Sequence, residues 1–311
     1  MLRFVFTDIF DYEIEKTKPL SVSINMEENV PADDMSVVFE HFECNELKDV
    51  RVYDGDNVIF TGVVDEQQCI CTENSQYIKI VARSMAALLL DNESVPISYT
   101  HPSVSTIASR HIYPFDLKLK DAKDETLFSQ LTVLKGDSNY QAVESFSKKL
   151  FSKTPRVNSR GEVDFNGVRN DKEVVFSNTG DGIRYEKFRR NIKRCEEIST
   201  VRIKVTNSSG YHSVIENENA VSRGITRERY LNAVLTETPA SYAKRMIENS
   251  KKKSYFVMLE CAGRYLDIFG CNAKVKGSIC GDLEDLYISK LSYSLTDKKE
   301  TTKITLYRKE V

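Results

Sequence analysis

From Ser21 to Met26 the chain reads Ser-Val-Ser-Ile-Asn-Met, polar and apolar residues alternating without a break. A period of two places every second side chain on one face, which is the pattern of a strand with one buried side and cannot make an amphipathic helix. The same logic recurs downstream. Val50–Tyr53 and Val58–Val64 are β-branched and aromatic runs on either side of Asp54-Gly55-Asp56-Asn57. An Asp-Gly step tolerates positive φ, so this segment is expected to be a hairpin. A further strand is expected over Tyr77–Ala82, followed by a short buried helical segment from Ser84 to Leu90. Short strands with turn signals between them predict a barrel or sandwich over residues 1–95.

Residues 96–170 have a different texture. Pro96, Pro102 and Pro114 punctuate them, with a short helix expected over Val104–Ile112. A clearer helix is expected from Asn139 to Phe151, where Tyr140, Val143, Phe146, Leu150 and Phe151 share one stripe. Pro155 ends that element, and Arg156–Phe165 has the pattern of a small hairpin. Residues 171–311 return to strands. Val201, Ile203 and Val205 alternate with polar residues ahead of a turn at Asn207-Ser208-Ser209-Gly210. Thr238 as N-cap and Pro239 at the first helical position open a helix to about residue 252. Its stripe would include Tyr242, Met246 and Ile247, and Lys251–Lys253 would suit the negative end of its dipole. A strand over Tyr255–Cys261 and a closing hairpin, Leu291–Leu295 with Thr302–Leu306, complete the pattern. The fold class expected is mainly β with a mixed α+β insert: barrel, 1–95; insert, 96–170; second strand-rich domain, 171–311, with helix 239–252.

Composition narrows the function classes. At 311 residues the chain has room for about two domains of ~150 residues. Lys plus Arg total 44 against 46 Asp plus Glu, a formal charge of -2, so no net positive field favours nucleic acid. The longest apolar run, Met85–Leu90, is far too short to span a bilayer. Asp8 and Asp11 interrupt the N-terminus too early for a signal peptide, so cytosolic synthesis is expected. Seven cysteines without a CxxC spacing are expected to be reduced and mostly buried thiols.

No chemical motif emerges. Cys69 and Cys71 face one side of a strand, but His41, His101, His111 and His212 are scattered, and a zinc site needs four converging ligands. No cofactor or metal is expected. Nucleophile elbows, HExxH, phosphate loops and dinucleotide fingerprints are absent, so no enzyme activity is expected. The stretch Arg184–Arg194 interleaves six basic residues with Tyr185 and Phe188, as single-strand binders do. Glu186, Glu196 and Glu197 dilute it, and protein–protein contact is the better functional expectation.

One pattern is more specific: Phe60-x-Gly62-Val63-Val64-Asp65, then Ala82-Arg83-Ser84-x-Ala86-x-Leu88-Leu89. With the order of elements around it, this resembles the baseplate hub proteins of contractile tails, found in Mu-like phages, PBSX-type defective prophages and R-type bacteriocins such as the diffocins. The resemblance runs along nearly the whole chain. It implies two tail-tube-like barrels per subunit and a homotrimer whose duplicated surface matches a six-fold tail tube on one face and a three-fold central spike on the other. The partners implied are the chain itself, the tube protein, the spike protein and other baseplate proteins, with no direct membrane contact and no specific nucleic-acid binding. The location implied is the baseplate of a phage or bacteriocin particle assembled from the bacterial cytoplasm. Barrels in such a ring would meet edge to edge. The polar turns at strand ends are the candidate contacts for neighbouring rings: Asp54, Gly55, Asp56 and Asn57, and the Asp297–Glu300 turn with Lys298, Lys299 and Glu300. The alternatives are a tail-associated cell-wall hydrolase and a carbohydrate-binding tail module.

Overall fold

The structure, a computed structural model, describes residues 2–168, 170–204, 210–232 and 239–309. Strand residues far outnumber helical ones, so the fold is mainly β, as the alternating runs predict. The chain forms two compact units. The first holds Met1–Lys172, Cys261–Cys271 and Ser289–Ile304, and the second holds Glu173–Glu260, Asn272–Ile288 and Thr305–Val311. The break at Lys172 falls two residues past the end of the 96–170 segment.

The first unit is built on seven antiparallel strands: β1 (Leu2–Asp8), β2 (Glu13–Lys16), β3 (Ser21–Glu27), β4 (Asp34–Glu40), β5 (Leu47–Asp54), β6 (Asn57–Cys71) and β7 (Gln76–Ser84). They lie in the order 3-4-7-6-5-1-2, which leaves β2 at an edge among the described residues. The alternation in β3 is realised, with Val22, Ile24 and Met26 buried and their neighbours half-buried. Phe39 of β4 meets Phe4 and Phe6 of β1 edge-on at 5.3 and 6.0 Å, the arrangement aromatic quadrupoles favour. The expected hairpin is β5–β6, closing at the pair Asp54–Asn57 with Gly55 at φ +59°.

The Phe-x-Gly-Val-Val-Asp pattern has a geometric cause. Gly62 sits opposite Ser84, and a Cβ there would lie 2.1 Å from the Arg83 carbonyl oxygen. No side chain fits in that space. Two residues on, the ladder is bulged between Val64 and Glu66, and Asp65 accepts from both Arg83 Nε (2.7 Å) and Nη2 (2.8 Å). Arg83 also holds Asp91 at 2.6 Å. Ser84 Oγ accepts the backbone N–H of Asp33 at 3.0 Å. The motif is a packing and pinning device for the β6–β7 pair.

The rest of the first unit is mixed. It contains α1 (Ala86–Asp91), β8 (Ile97–Tyr99), α2 (Val104–His111), β9 (Lys118–Leu119), β10 (Leu131–Val133), α3 (Asn139–Phe151), β11 (Arg156–Val157) and β12 (Glu162–Asp164). Helix α3 starts on a capping box: Ser138 Oγ accepts Gln141 N–H at 3.2 Å and Gln141 returns the bond to Ser138 N–H at 2.7 Å. Its stripe buries Tyr140, Val143 and Phe146 against Ile107 and Ala108 of α2 and against Val163 and Phe165. The expected small hairpin is β11–β12, and β9 adds to it in parallel. Inside this core His111 lies between Tyr99 Oη (2.9 Å) and Asn139 Oδ1 (2.9 Å).

The second unit comprises β13 (Glu173–Ser177), β14 (Lys187–Ile192), β15 (Thr200–Ile203), β16 (Ser213–Glu216), α4 (Glu218–Ser222), β17 (Glu228–Leu231), α5 (Pro239–Ser254), most of β18 (Tyr255–Ala262) and β19 (Asn272–Ser278). The long strands β20 (Gly281–Leu295) and β21 (Glu300–Arg308) each give residues to both units. β14 pairs with β18 along its whole length and has no second neighbour among the described residues. Helix α5 packs on the β15–β16–β17 sheet through Ala243 and Ile247. Its buried stripe keeps the expected Ile247 but runs through Ala243, Ser250 and Ser254, while Tyr242 and Met246 are only half-buried. Small residues, not the large ones, allow the close helix–sheet approach. Helix α4, capped by the Asn217 side chain, is not foreshadowed by periodicity. The expected N-cap Thr238, the turn residues Asn207–Ser209 and Val205 lie outside the described residues.

The cysteine expectation is corrected. Cys261 and Cys271 are buried, but Cys69, Cys71 and Cys195 are exposed, and Cys44 and Cys280 are half-buried. Cys69 and Cys71 sit at the far end of β6, beyond the reach of β5.

Candidate assembly surface

The two turns singled out from sequence are drawn together in the first unit. At the end of β5, Asp54 is half-buried, while Gly55, Asp56 and Asn57 are exposed. At the start of β21, Glu300 is half-buried, while Lys298 and Lys299 are exposed. Thr296 closes that turn, its N–H donating to Lys299 O at 2.9 Å and its hydroxyl accepting Lys299 N–H at 3.2 Å.

Arg264 joins them. It follows Gly263, whose φ of +100° only glycine adopts freely. Three bonds fix this corner to β21: Gly263 N–H to Glu300 O (2.9 Å), Tyr265 N–H to Thr302 Oγ1 (3.2 Å) and Thr302 Oγ1 to Gly263 O (2.8 Å). The guanidinium then donates through Nε to Asp54 Oδ2 at 2.8 Å and through Nη1 to Glu300 Oε1 at 3.1 Å. Tyr293 Oη donates to the same Glu300 oxygen at 2.8 Å. Burial of Tyr293, with the Glu300 carboxylate beside it, pushes the phenol well above its ordinary value. Asp54 and Glu300 are thus not free contacts for a neighbour, as the turn pattern alone suggests. They are the acidic halves of an internal cluster. Gly55, Asp56, Asn57, Lys298 and Lys299 remain exposed around it.

Beside this cluster lies a groove of about 800 Å³, lined by Asp54, Arg264, Lys120, Arg156 and Phe269 among others. Its charges come in pairs. Arg156 is bound to the buried Asp33 and donates to the carbonyls of Glu27 (3.1 Å) and Val30 (2.9 Å). Lys120 holds Asp164 at 2.9 Å. Burial raises the Asp33 carboxyl above its ordinary value, and Arg156 opposes that rise. Glycoside hydrolysis needs two carboxyls facing one bond, one of them available as an acid. Here Asp33, Asp54 and Asp164 are each claimed by a cation. These three ion pairs tie distant segments of the first unit to one another.

The remaining sequence candidates are dispersed. Among the described residues no group of three or more His, Cys, Asp or Glu side chains could hold a metal. No helix among them is long and apolar enough to cross a membrane. The basic stretch Arg184–Arg194 contributes β14, in which Lys187 pairs with Glu260 at 3.0 Å. Sequence reasoning missed Arg264 and Arg156 because their carboxylate partners lie 210 and 123 residues away, and nothing local marks them.

No family model matches the chain, and no curated protein matches it. Solved structures do. The prophage MuSo2 43 kDa tail protein from Shewanella oneidensis superposes with a TM-score of 0.81 at 14% identity, over 99% of this chain and 98% of that one. The tail protein from Neisseria meningitidis MC58 gives 0.77 at 14% identity, over 98% and 96%. The Escherichia coli c3393 protein, described as a component of the type VI secretion system similar to the T4 tail proteins gp27 and gp5, gives 0.56 at 10% identity, over 95% and 74%. The chain has the fold of prophage tail proteins. That fold is the one the Phe60–Leu89 pattern and the element order imply.

Proposed function

We propose that this chain is a structural component of a contractile tail-like particle, and specifically its baseplate hub: a homotrimer that joins the six-fold tail tube to the three-fold central spike. The observation that carries the reading is the whole-chain match to two prophage tail proteins, with nearly all of each chain covered. The c3393 match, to a type VI secretion component similar to the T4 tail proteins gp27 and gp5, extends the reading to secretion systems of that kind. Two tube-like barrels, within 1–95 and 171–311, flank the 96–170 insert and give each subunit two similar surfaces, so three copies present a pseudo-six-fold face. Function then lies in assembly. The paired carboxylates of the groove support a structural role over a hydrolytic one. The exposed turn residues Gly55, Asp56, Asn57, Lys298 and Lys299 are the proposed contacts to the adjoining ring.

The test is to determine the structure of the assembled particle by electron cryomicroscopy. Three copies on the tail axis, between the last tube ring and the spike, are expected. Six copies, a position at the fibres, or normal particles from a strain lacking the chain overturn the reading.

A further inference from the structure

The two units carry opposite charge. The second holds 20 Lys and Arg against 15 Asp and Glu, a formal +5, and the first holds 24 against 31, a formal -7; together they restore the chain's -2. The near-neutral total conceals this division. Each unit also ends in a strand with one side unpaired among the described residues, β2 in the first and β14 in the second.

These edges are chemically matched. On β2, Glu13 and Glu15 share one face and Ile14 lies on the other; both acids are more than half exposed, beside Arg51 and Arg3. On β14, Lys187 and Arg189 share one face, and Phe188, Arg190 and Ile192 the other, with Ile192 57% exposed. Directly opposed residues in a ladder lie on the same face. A register that sets Glu13 and Glu15 against Lys187 and Arg189 therefore sets Ile14 against Phe188. A slip of one residue opposes Ile14 to Lys187 or Arg189 and one of the two acids to Phe188, and is disfavoured.

The turn leading into β2 adds an apolar tip. Ile9, Phe10 and Tyr12 are 47, 62 and 69% exposed. Large apolar residues clustered at an edge mark an interaction site more than isolated ones do. The tip is held in shape by the buried Asp8, whose carboxylate accepts the N–H groups of Phe10 and Tyr12 at 2.9 Å each and Asn45 Nδ2 at 2.7 Å. A turn fixed before binding loses little entropy on docking.

We infer that β14 of one copy adds to β2 of the next, a head-to-tail contact between second copies of this chain in which Glu13 and Glu15 face Lys187 and Arg189. The contact is heterologous, so it generates a ring when its rotation closes. It also covers both exposed edges, which otherwise invite uncontrolled pairing. The inference rests on the ring proposed above and names the surfaces that form it.

Sedimentation of the full-length chain at low and at high salt tests it. Wild type is expected to self-associate, less tightly as salt rises. The pair of changes E13K and E15K, and separately K187E and R189E, should each weaken association by on the order of tenfold or more. The chain carrying all four changes should recover association with itself and fail to co-assemble with wild type, a result that misfolding cannot imitate. A wild type that stays monomeric, reversals without effect, or a four-fold variant that does not recover overturns the contact. A charge swap that works in a chain found off the tail axis sinks the hub reading and leaves the contact standing. A trimeric hub indifferent to the swap does the reverse.

Discussion

Arg264 Nε donates to Asp54 Oδ2 at 2.8 Å across 210 residues of sequence, tying the segment after β18 to the turn at the end of β5. Arg264 is 18% exposed, and its two carboxylate partners are each 38% exposed, so the cluster lies between the surface and fully buried regimes. Replacing Arg264 with Met leaves two half-buried carboxylates facing each other. A loss of about 1–2 kcal/mol in unfolding free energy is expected, above a typical exposed pair and below a fully buried one. Arg264→Lys should recover only part of it, since an ammonium cannot serve both carboxylates with the same planar fork. Urea denaturation of the three proteins decides this, and equal stability of wild type and Arg264→Met contradicts it.

Gly62→Ala tests the motif glycine. The added methyl carbon would lie 2.1 Å from the Arg83 carbonyl oxygen, and a backbone atom within a paired strand cannot turn aside as a side-chain tip can. The β6–β7 ladder must part locally, at a cost of about 3 kcal/mol. Gly55→Ala is the comparison: nothing lies within 4 Å of a Cβ there, so only the positive φ of +59° is strained, and a loss of about 1 kcal/mol is expected. Denaturant midpoints that rank the two in the opposite order refute this account of the motif.

What could be read in advance follows from how locally each feature is encoded. The alternation of β3, the hairpin at Gly55 and the capped, striped helix α3 depend on residues within a few positions of one another, and all three stand in the structure. The Phe60–Leu89 pattern is also local, and it led to the tail-protein fold. The turn residues were legible as turns but not as partners. Asp54 and Glu300 owe their places to Arg264, and no period or spacing connects those three positions. The exposure of the cysteines is hidden in the sequence for a related reason. Cys69 and Cys71 lie where β6 outruns β5, and relative strand length is a tertiary property. The buried stripe of α5 depends on how closely the helix approaches its sheet, which side-chain hydrophobicity alone does not fix.

His111 should make the first unit acid-sensitive. Burial holds this imidazole below its ordinary value, Asn139 opposes that shift, and Arg110 adds to it. The unfolded chain therefore takes up a proton near pH 6.5 that the folded chain still refuses. No penalty applies above that pH. As pH falls from about 6.5 toward the lowered folded value, stability drops by up to about 1.4 kcal/mol per pH unit, and below it the penalty is constant. His111→Gln keeps an amide in the Tyr99–Asn139 network but cannot titrate. The gap between wild type and this variant should narrow, or change sign, between pH 7 and pH 5. Parallel stability curves for the two proteins over that range rule the effect out.

The cysteines offer a site-resolved readout of the same corner that Arg264 holds. Thiolates are the reactive species, so exposure and thiol pKa together set the alkylation rate. Cys69, Cys71 and Cys195 are exposed and should be modified first. Cys44 and Cys280, half-buried, should follow; burial also pushes the Cys44 thiol up, against the bond it accepts from Gln67 Nε2 at 3.3 Å. Cys261 and Cys271 are buried, and burial raises Cys271 further, so both should react only when their segment opens. That segment, Cys261–Cys271, carries Arg264. Arg264→Met removes its tie to Asp54, and local opening free energies are drawn down where such ties are lost. Peptide mapping by mass spectrometry after timed alkylation should therefore show faster modification of Cys271 in Arg264→Met, with the rates at Cys69 and Cys71 unchanged. Acceleration at every cysteine alike would mean that the variant loosens the whole fold, and no change at Cys271 would mean that Arg264 does not hold this segment in place.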